Sequence, residues 1–194
     1  MVFVKDELVL KSVLQCLKSV ILFVHETGYE SKNNLGSLQP LIMKDENEDF
    51  FHCILSIKLK QRQKCIKKLV TKIEDNFFNL KTLENVIMPI IEFLVFCGEV
   101  QLQSGRNTIS YDKEHKRATL EEALNVFTAF SRQLSWTEYY KLLKKLLYRL
   151  ERARSKARAI SAFGQPELEK EKIITRSICK VLSGFHFDDV PDAV

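Results

Sequence analysis

The stretch TLEEALNVFTAFSRQLSWTEYYKLLKKLLYRL, Thr119–Leu150, decides the fold. Leu120, Ala123, Leu124, Phe127, Phe130 and Leu134 recur at helical spacing and form one apolar stripe. Trp136, Tyr139, Tyr140, Leu143, Leu146, Leu147 and Leu150 form a second. TLEE (Thr119–Glu122) and SWTE (Ser135–Glu138) each read as a capping box, in which a hydroxyl takes an orphan helix amide and an acid three residues on reaches back. So short a connection predicts an antiparallel helix pair over 119–158, with Trp136, Tyr139 and Tyr140 packed on Phe127 and Phe130.

The same periodicity extends outward. Leu10, Val13, Leu14, Leu17, Ile21 and Val24 mark a one-sided helix, with Gly28 as its stop. A polar loop, ETGYESKNNLGSLQP, follows, and the acids from Asp45 to Asp49 are placed to start a shorter helix reaching about Leu59. Next, Cys65, Ile66, Leu69, Val70 and Ile73 face one way, while Lys64, Lys67, Lys68 and Lys72 face mostly the other. Asn76 and Asn79 bracket a break, and Thr82 is expected to cap the next helix, with Glu84 in its first turn. Val86, Ile87, Ile90, Ile91, Leu94 and Val95 cover more than one side of that helix, as in one buried between neighbours. Pro89 inside it predicts a kink, and Gly98 an end. EVQLQSGRNTISYD fits a small hairpin or an irregular loop. A last helix is expected from Pro166 to about Leu182, closed by Gly184, and FHFDDVPDAV reads as a connector.

The resulting fold class is all-α: a HEAT-like helical-repeat solenoid segment of antiparallel helix pairs, in one unit over 1–194. Its expected parts are N-terminal helices and a loop (1–57), a helix pair (58–98), an insertion (99–118), a second pair (119–158) and a last helix (166–184). Each pair occupies about 40 residues, the length of a HEAT-type repeat. Composition agrees: only 6 Gly and 4 Pro in 194 residues is too few for the tight turns of a sandwich or barrel.

Little points to catalysis. The four histidines have no metal-ligand spacing, and no phosphate loop, dinucleotide fingerprint or nucleophile elbow occurs. The expectation is a protein that is not an enzyme and has no cofactor, metal or small-molecule substrate. The five cysteines form no CxxC; four lie in apolar helical patterns, where a thiol is usually a small buried hydrophobe. Their odd number suits a reducing compartment. Charged residues interrupt the N-terminal apolar run, so neither a signal peptide nor a membrane segment is expected.

The net charge of +5 is concentrated in places. Lys141, Lys144, Lys145, Arg149, Arg152, Arg154, Lys156 and Arg158 follow one another against only Glu138 and Glu151. Such a cluster serves either as a solvated face or as a contact for phosphate or an acidic partner. Residues 58–72 show a similar excess. With Trp136, Tyr139 and Tyr140 assigned to the core, no aromatic platform for base stacking is expected.

Three phrases taken in order carry a resemblance: RQKCIKKLVTKIEDNFFNLKTLENVIMPIIEFLV, ALNVFTAFSRQLSWTEYYKLLKKLLYRL and RSICKVLSGFHFDD. Together, from Lys58 to Asp189, they resemble the down-regulated-in-metastasis family, the small subunit processome component 20 homologs. The resemblance implies a HEAT-type solenoid in the nucleus and nucleolus, acting in pre-rRNA processing and small ribosomal subunit assembly without enzyme activity. The implied partners are other processome proteins and pre-rRNA or small nucleolar RNA. Members of that family are far longer, which implies a fragment or short isoform. The alternative is a protein-only α-solenoid adaptor of transport or scaffold type, its basic faces inert.

Overall fold

The computed structural model describes residues 7–29, 35–56, 58–96, 110–159 and 165–186, and all regular secondary structure among them is helical. The chain forms two compact units: Met1–Ile90 with Ile109–Glu122, and Ile91–Thr108 with Ala123–Val194. Expectations for Gly98, for the hairpin or loop up to residue 109, and for the connector beyond His186 lie outside the described residues.

In the first unit, α1 (Glu7–Thr27) packs against a 3₁₀ helix, Leu35–Leu41. Leu10, Leu14, Ile21 and Val24 are buried, as the stripe predicts. Val13 is not: it lies with Val9, Val20 and Phe23 on an exposed face. Gly28 closes the helix in the left-handed region, at φ +64°, where a Cβ would be strained.

The acidic cluster starts α2 (Phe50–Cys53), which is only one turn long and does not reach Leu59. Asp49 caps it, accepting from the His52 N–H at 2.9 Å. The same carboxylate accepts from Met43 N–H at 3.2 Å and pairs with Lys18 at 2.9 Å, so this fully buried acid ties α1, the preceding loop and α2 together. A separate helix, α3 (Leu59–Glu74), packs on α2 and buries Cys65, Ile66, Leu69 and Ile73.

Asn76 then takes φ 54°, a left-handed turn residue, and Asn79 caps the next helix by accepting from Lys81 N–H at 2.9 Å. The cap is therefore Asn79 rather than Thr82, which is buried inside the helix. Helix α4 (80–96) begins as Leu80–Thr82, widens into a π-helical turn, Leu83–Ile87, and continues as Met88–Phe96. The Met88 N–H reaches back five residues to the Leu83 carbonyl. This wide turn is the form taken by the irregularity expected at Pro89: it stands where the proline ring would crowd the carbonyl four residues earlier. Ile87, Ile90, Ile91 and Val95 are buried.

Helix α5 (Ser110–Ser131) corrects two expectations. Residues 110–118 are helical rather than part of an insertion, so TLEE lies mid-helix and caps nothing. The Thr119 hydroxyl turns back to donate to the His115 carbonyl at 2.8 Å. The predicted stripe itself holds: Leu120, Ala123, Leu124, Phe127, Phe130 and Leu134 are all buried.

In the second unit, α6 (Trp136–Ala159) starts at the SWTE box as predicted. Glu138 Oε2 accepts from the Ser135 N–H at 3.0 Å and from its hydroxyl at 2.8 Å, while the Glu138 N–H faces Ser135 Oγ at 3.4 Å. Helix α7 (Gln165–Gly184) packs along α6, with Pro166 in its first turn. Its C-terminal part also touches α5: Lys180 Nζ donates to Asn125 Oδ1 at 2.7 Å, and the Lys180 carbonyl accepts from the Thr128 hydroxyl at 3.2 Å.

Candidate functional site

Helix α6 carries all eight cations singled out from the sequence, and the second unit sorts them by what each touches. Glu92 on α4 is buried, at 4% exposure, and must be neutralised. Lys145 meets it at 2.5 Å and Arg149 at 3.1 Å. The Arg149 guanidinium also lies 4.3 Å above the Phe96 ring, which in turn meets Phe127 edge-on at 6.2 Å. Arg154 binds Glu171 on α7 at 2.7 Å. Lys145, Arg149 and Arg154 thus hold the unit together.

The side chains of Lys141, Lys144, Arg152 and Lys156 are exposed and make no ion pair or hydrogen bond among the described residues. These four make up the cationic face that remains open to a partner. Arg158 lies outside the residues whose side chains are described. The second basic helix, α3, is partly engaged: Lys64 and Lys68 meet Glu48 at 3.4 and 3.3 Å, and Lys72 lies over the Phe77 ring. The two ammonium groups hold the Glu48 carboxyl below its ordinary range, Lys68 acting more strongly.

The aromatic residues of α6 depart from the expected core. Tyr139 is buried, and burial pushes its phenol up. Trp136 is 46% exposed, Tyr140 54% and Tyr148 66%, with Leu147 beside them at 49%. Among the described residues, the rings of Trp136 and Tyr139 meet Phe185, just past the end of α7, rather than Phe127 or Phe130. Phe185 stacks on Tyr139 at 3.9 Å, and Tyr139 stacks on Trp136 at 5.7 Å. The phrase GFHFDD contains Phe185, but only the packing of α7 on α6 brings it to Trp136.

The first unit holds a cleft of about 660 Å³ bordered by Lys11, Lys18, Asp49, His52, Lys58 and Gln61. Of its two acids, Glu46 is exposed and Asp49 is already used, since it holds the α2 cap and Lys18. The nearby thiols are packing groups. Cys53 Sγ donates to the Glu46 carbonyl and Cys65 Sγ to the Phe50 carbonyl, and burial drives both thiols up, away from the thiolate. Cys16 and Cys179, by contrast, are exposed, against the expectation of burial. Iodoacetamide is therefore expected to modify Cys16 and Cys179 on the native chain and to reach Cys53 and Cys65 only in denaturant. Peptide mass spectrometry reads this directly, and early modification of Cys65 would contradict its burial.

Among the described residues, no group of His, Cys, Asp and Glu is placed to hold a metal ion, and no helix is long and apolar enough to cross a membrane. No protein-family model, curated protein or solved structure matches the chain.

Proposed function

We propose that the chain is a non-enzymatic, HEAT-like scaffold segment that contacts RNA phosphate and protein partners, in the service of pre-rRNA processing and small ribosomal subunit assembly in the nucleolus. The observation that carries the RNA contact is the set Lys141, Lys144, Arg152 and Lys156, exposed and without a partner among the described residues on one helix. A cluster of unneutralised cations is what a phosphate backbone requires. The scaffold part is supported by the helical architecture, all regular secondary structure among the described residues being helical. The nucleolar setting, with processome proteins and pre-rRNA or small nucleolar RNA as partners, rests on the three phrases that resemble the down-regulated-in-metastasis family.

The test is binding to a structured RNA across a salt series, for the parent and for a variant with Lys141, Lys144, Arg152 and Lys156 all changed to Ala. Phosphate contact predicts a linear fall of log affinity with log salt, and a slope shallower by about three to four in the variant. An unchanged slope would remove these cations from the interface. That outcome favours a protein-only adaptor, a reading supported by the exposed apolar face of α1 at Val9, Val13, Val20 and Phe23.

A further inference from the structure

The exposed residues of α6 share a register. Trp136, Tyr140, Lys144, Tyr148, Arg152 and Lys156 each lie four positions after the last, on a single i, i+4 ridge. At 1.5 Å rise per residue, successive members are about 6 Å apart along the axis. All six are exposed. The ridge begins with two aromatic rings, then a cation, a third ring and two cations. Trp136 and Tyr140 lie 6.4 Å apart with their planes 31° from each other, already close to a common orientation. Lys141 flanks the ridge on one side and Leu147 on the other; the acids within the same span are Glu138, held in the SWTE cap, and Glu151.

Cations alone would suit any phosphate backbone. Rings interleaved with them suit a narrower class of ligand. In a duplex the faces of the bases are covered by their neighbours, and an exposed tyrosine gains nothing from them. In a single strand each base has a free face, and proteins that bind such strands combine a cationic track with stacking rings. We propose that this ridge is a stacking ladder for single-stranded nucleic acid. Bases stack on Tyr148 and on the Trp136–Tyr140 pair, while Lys141, Lys144, Arg152 and Lys156 take the phosphates. The inference rests on the phosphate-contact reading above and adds the strand type and the residues that recognise it.

The test uses the full chain, a 12-nucleotide oligouridylate and a 12-base-pair RNA duplex, with fluorescence anisotropy at several salt concentrations. The ladder predicts preference for the single strand and quenching of Trp136, the one tryptophan of the chain. Tyr140→Ala with Tyr148→Ala lowers single-strand affinity by about tenfold per ring, leaves the salt slope unchanged and barely moves duplex binding. Both tyrosines are exposed, so the variant keeps its helical circular dichroism. If the duplex binds as well and only the four-cation variant weakens binding, the ladder fails and the phosphate reading stands. If neither nucleic acid binds, both fail. Binding to phosphatidylserine vesicles in place of the oligonucleotide, lost in the same tyrosine variant, overturns the ladder in favour of a membrane surface.

Discussion

Replacing Lys145 and Arg149 together by alanine is expected to lower the unfolding free energy by about 3–5 kcal/mol, read from urea denaturation followed by helical circular dichroism. Both side chains end on Glu92, whose carboxylate is almost fully removed from water. Without them the carboxyl stays buried with neither cation beside it, and that uncompensated burial is the source of the cost. The same double variant carrying Glu92→Leu should recover most of the loss, because a packed apolar group needs no counter-ion. A simple loss of surface charge predicts neither the size of the effect nor its rescue. The control, Lys144→Ala with Arg152→Ala, removes as much charge and should change stability by less than about 0.5 kcal/mol. Equal destabilisation by the two pairs would refute the assignment of Lys145 and Arg149 to structure. The result also governs how binding is tested, since a loss of RNA affinity in a Lys145 or Arg149 variant would report unfolding as readily as contact.

Gly184→Ala is expected to cost about 2–3 kcal/mol, near the upper end for overpacking a close-packed site. A Cβ at this position would collide with the Ser131 side-chain oxygen and the Thr128 carbonyl of α5. Ser131→Ala in the same chain should relieve only part of the cost, because the Thr128 carbonyl belongs to the main chain and cannot rotate away. Gly28→Ala makes the contrast. There a Cβ meets nothing within 4 Å, and the penalty comes from φ +64° alone, about 1 kcal/mol. Both glycines lie at helix ends, but one is needed for its backbone conformation and the other for the room it leaves α5. If Gly184→Ala were as mild as Gly28→Ala in thermal or urea unfolding, the close approach of α7 to α5 would be wrong.

That contrast shows where sequence reasoning stops. Gly28 was legible because a helix stop is local: a periodic stripe ends, and glycine tolerates the left-handed turn. The role of Gly184 depends on Thr128 and Ser131, more than fifty positions earlier, and no local pattern carries that. The two capping boxes show the same divide. SWTE was legible because the helix does start there. TLEE fits the same hydroxyl-to-acid spacing, but α5 had already begun at Ser110, so Thr119 turned to its own helix carbonyl. A capping box favours a helix start without being sufficient for one, and it is not required either: α3 begins after Lys58 with no side-chain cap.

By itself the sequence determined the helical class, the α5 stripe from Leu120 to Leu134, the start of α6 at Ser135 and the concentration of cations along it. These follow from period, caps and charge, which act within a few turns. Only the tertiary structure decided which cations are occupied. Glu92 lies 53 and 57 positions from Lys145 and Arg149, and it takes two of the eight singled-out charges out of any interface. It also decided that Tyr139 goes inward while Trp136, Tyr140 and Tyr148 stay at the surface. Helix α6 has apolar residues around much of its circumference, so its own pattern allows more than one buried face. The packing of α7, with Phe185 at its end, selected one of them.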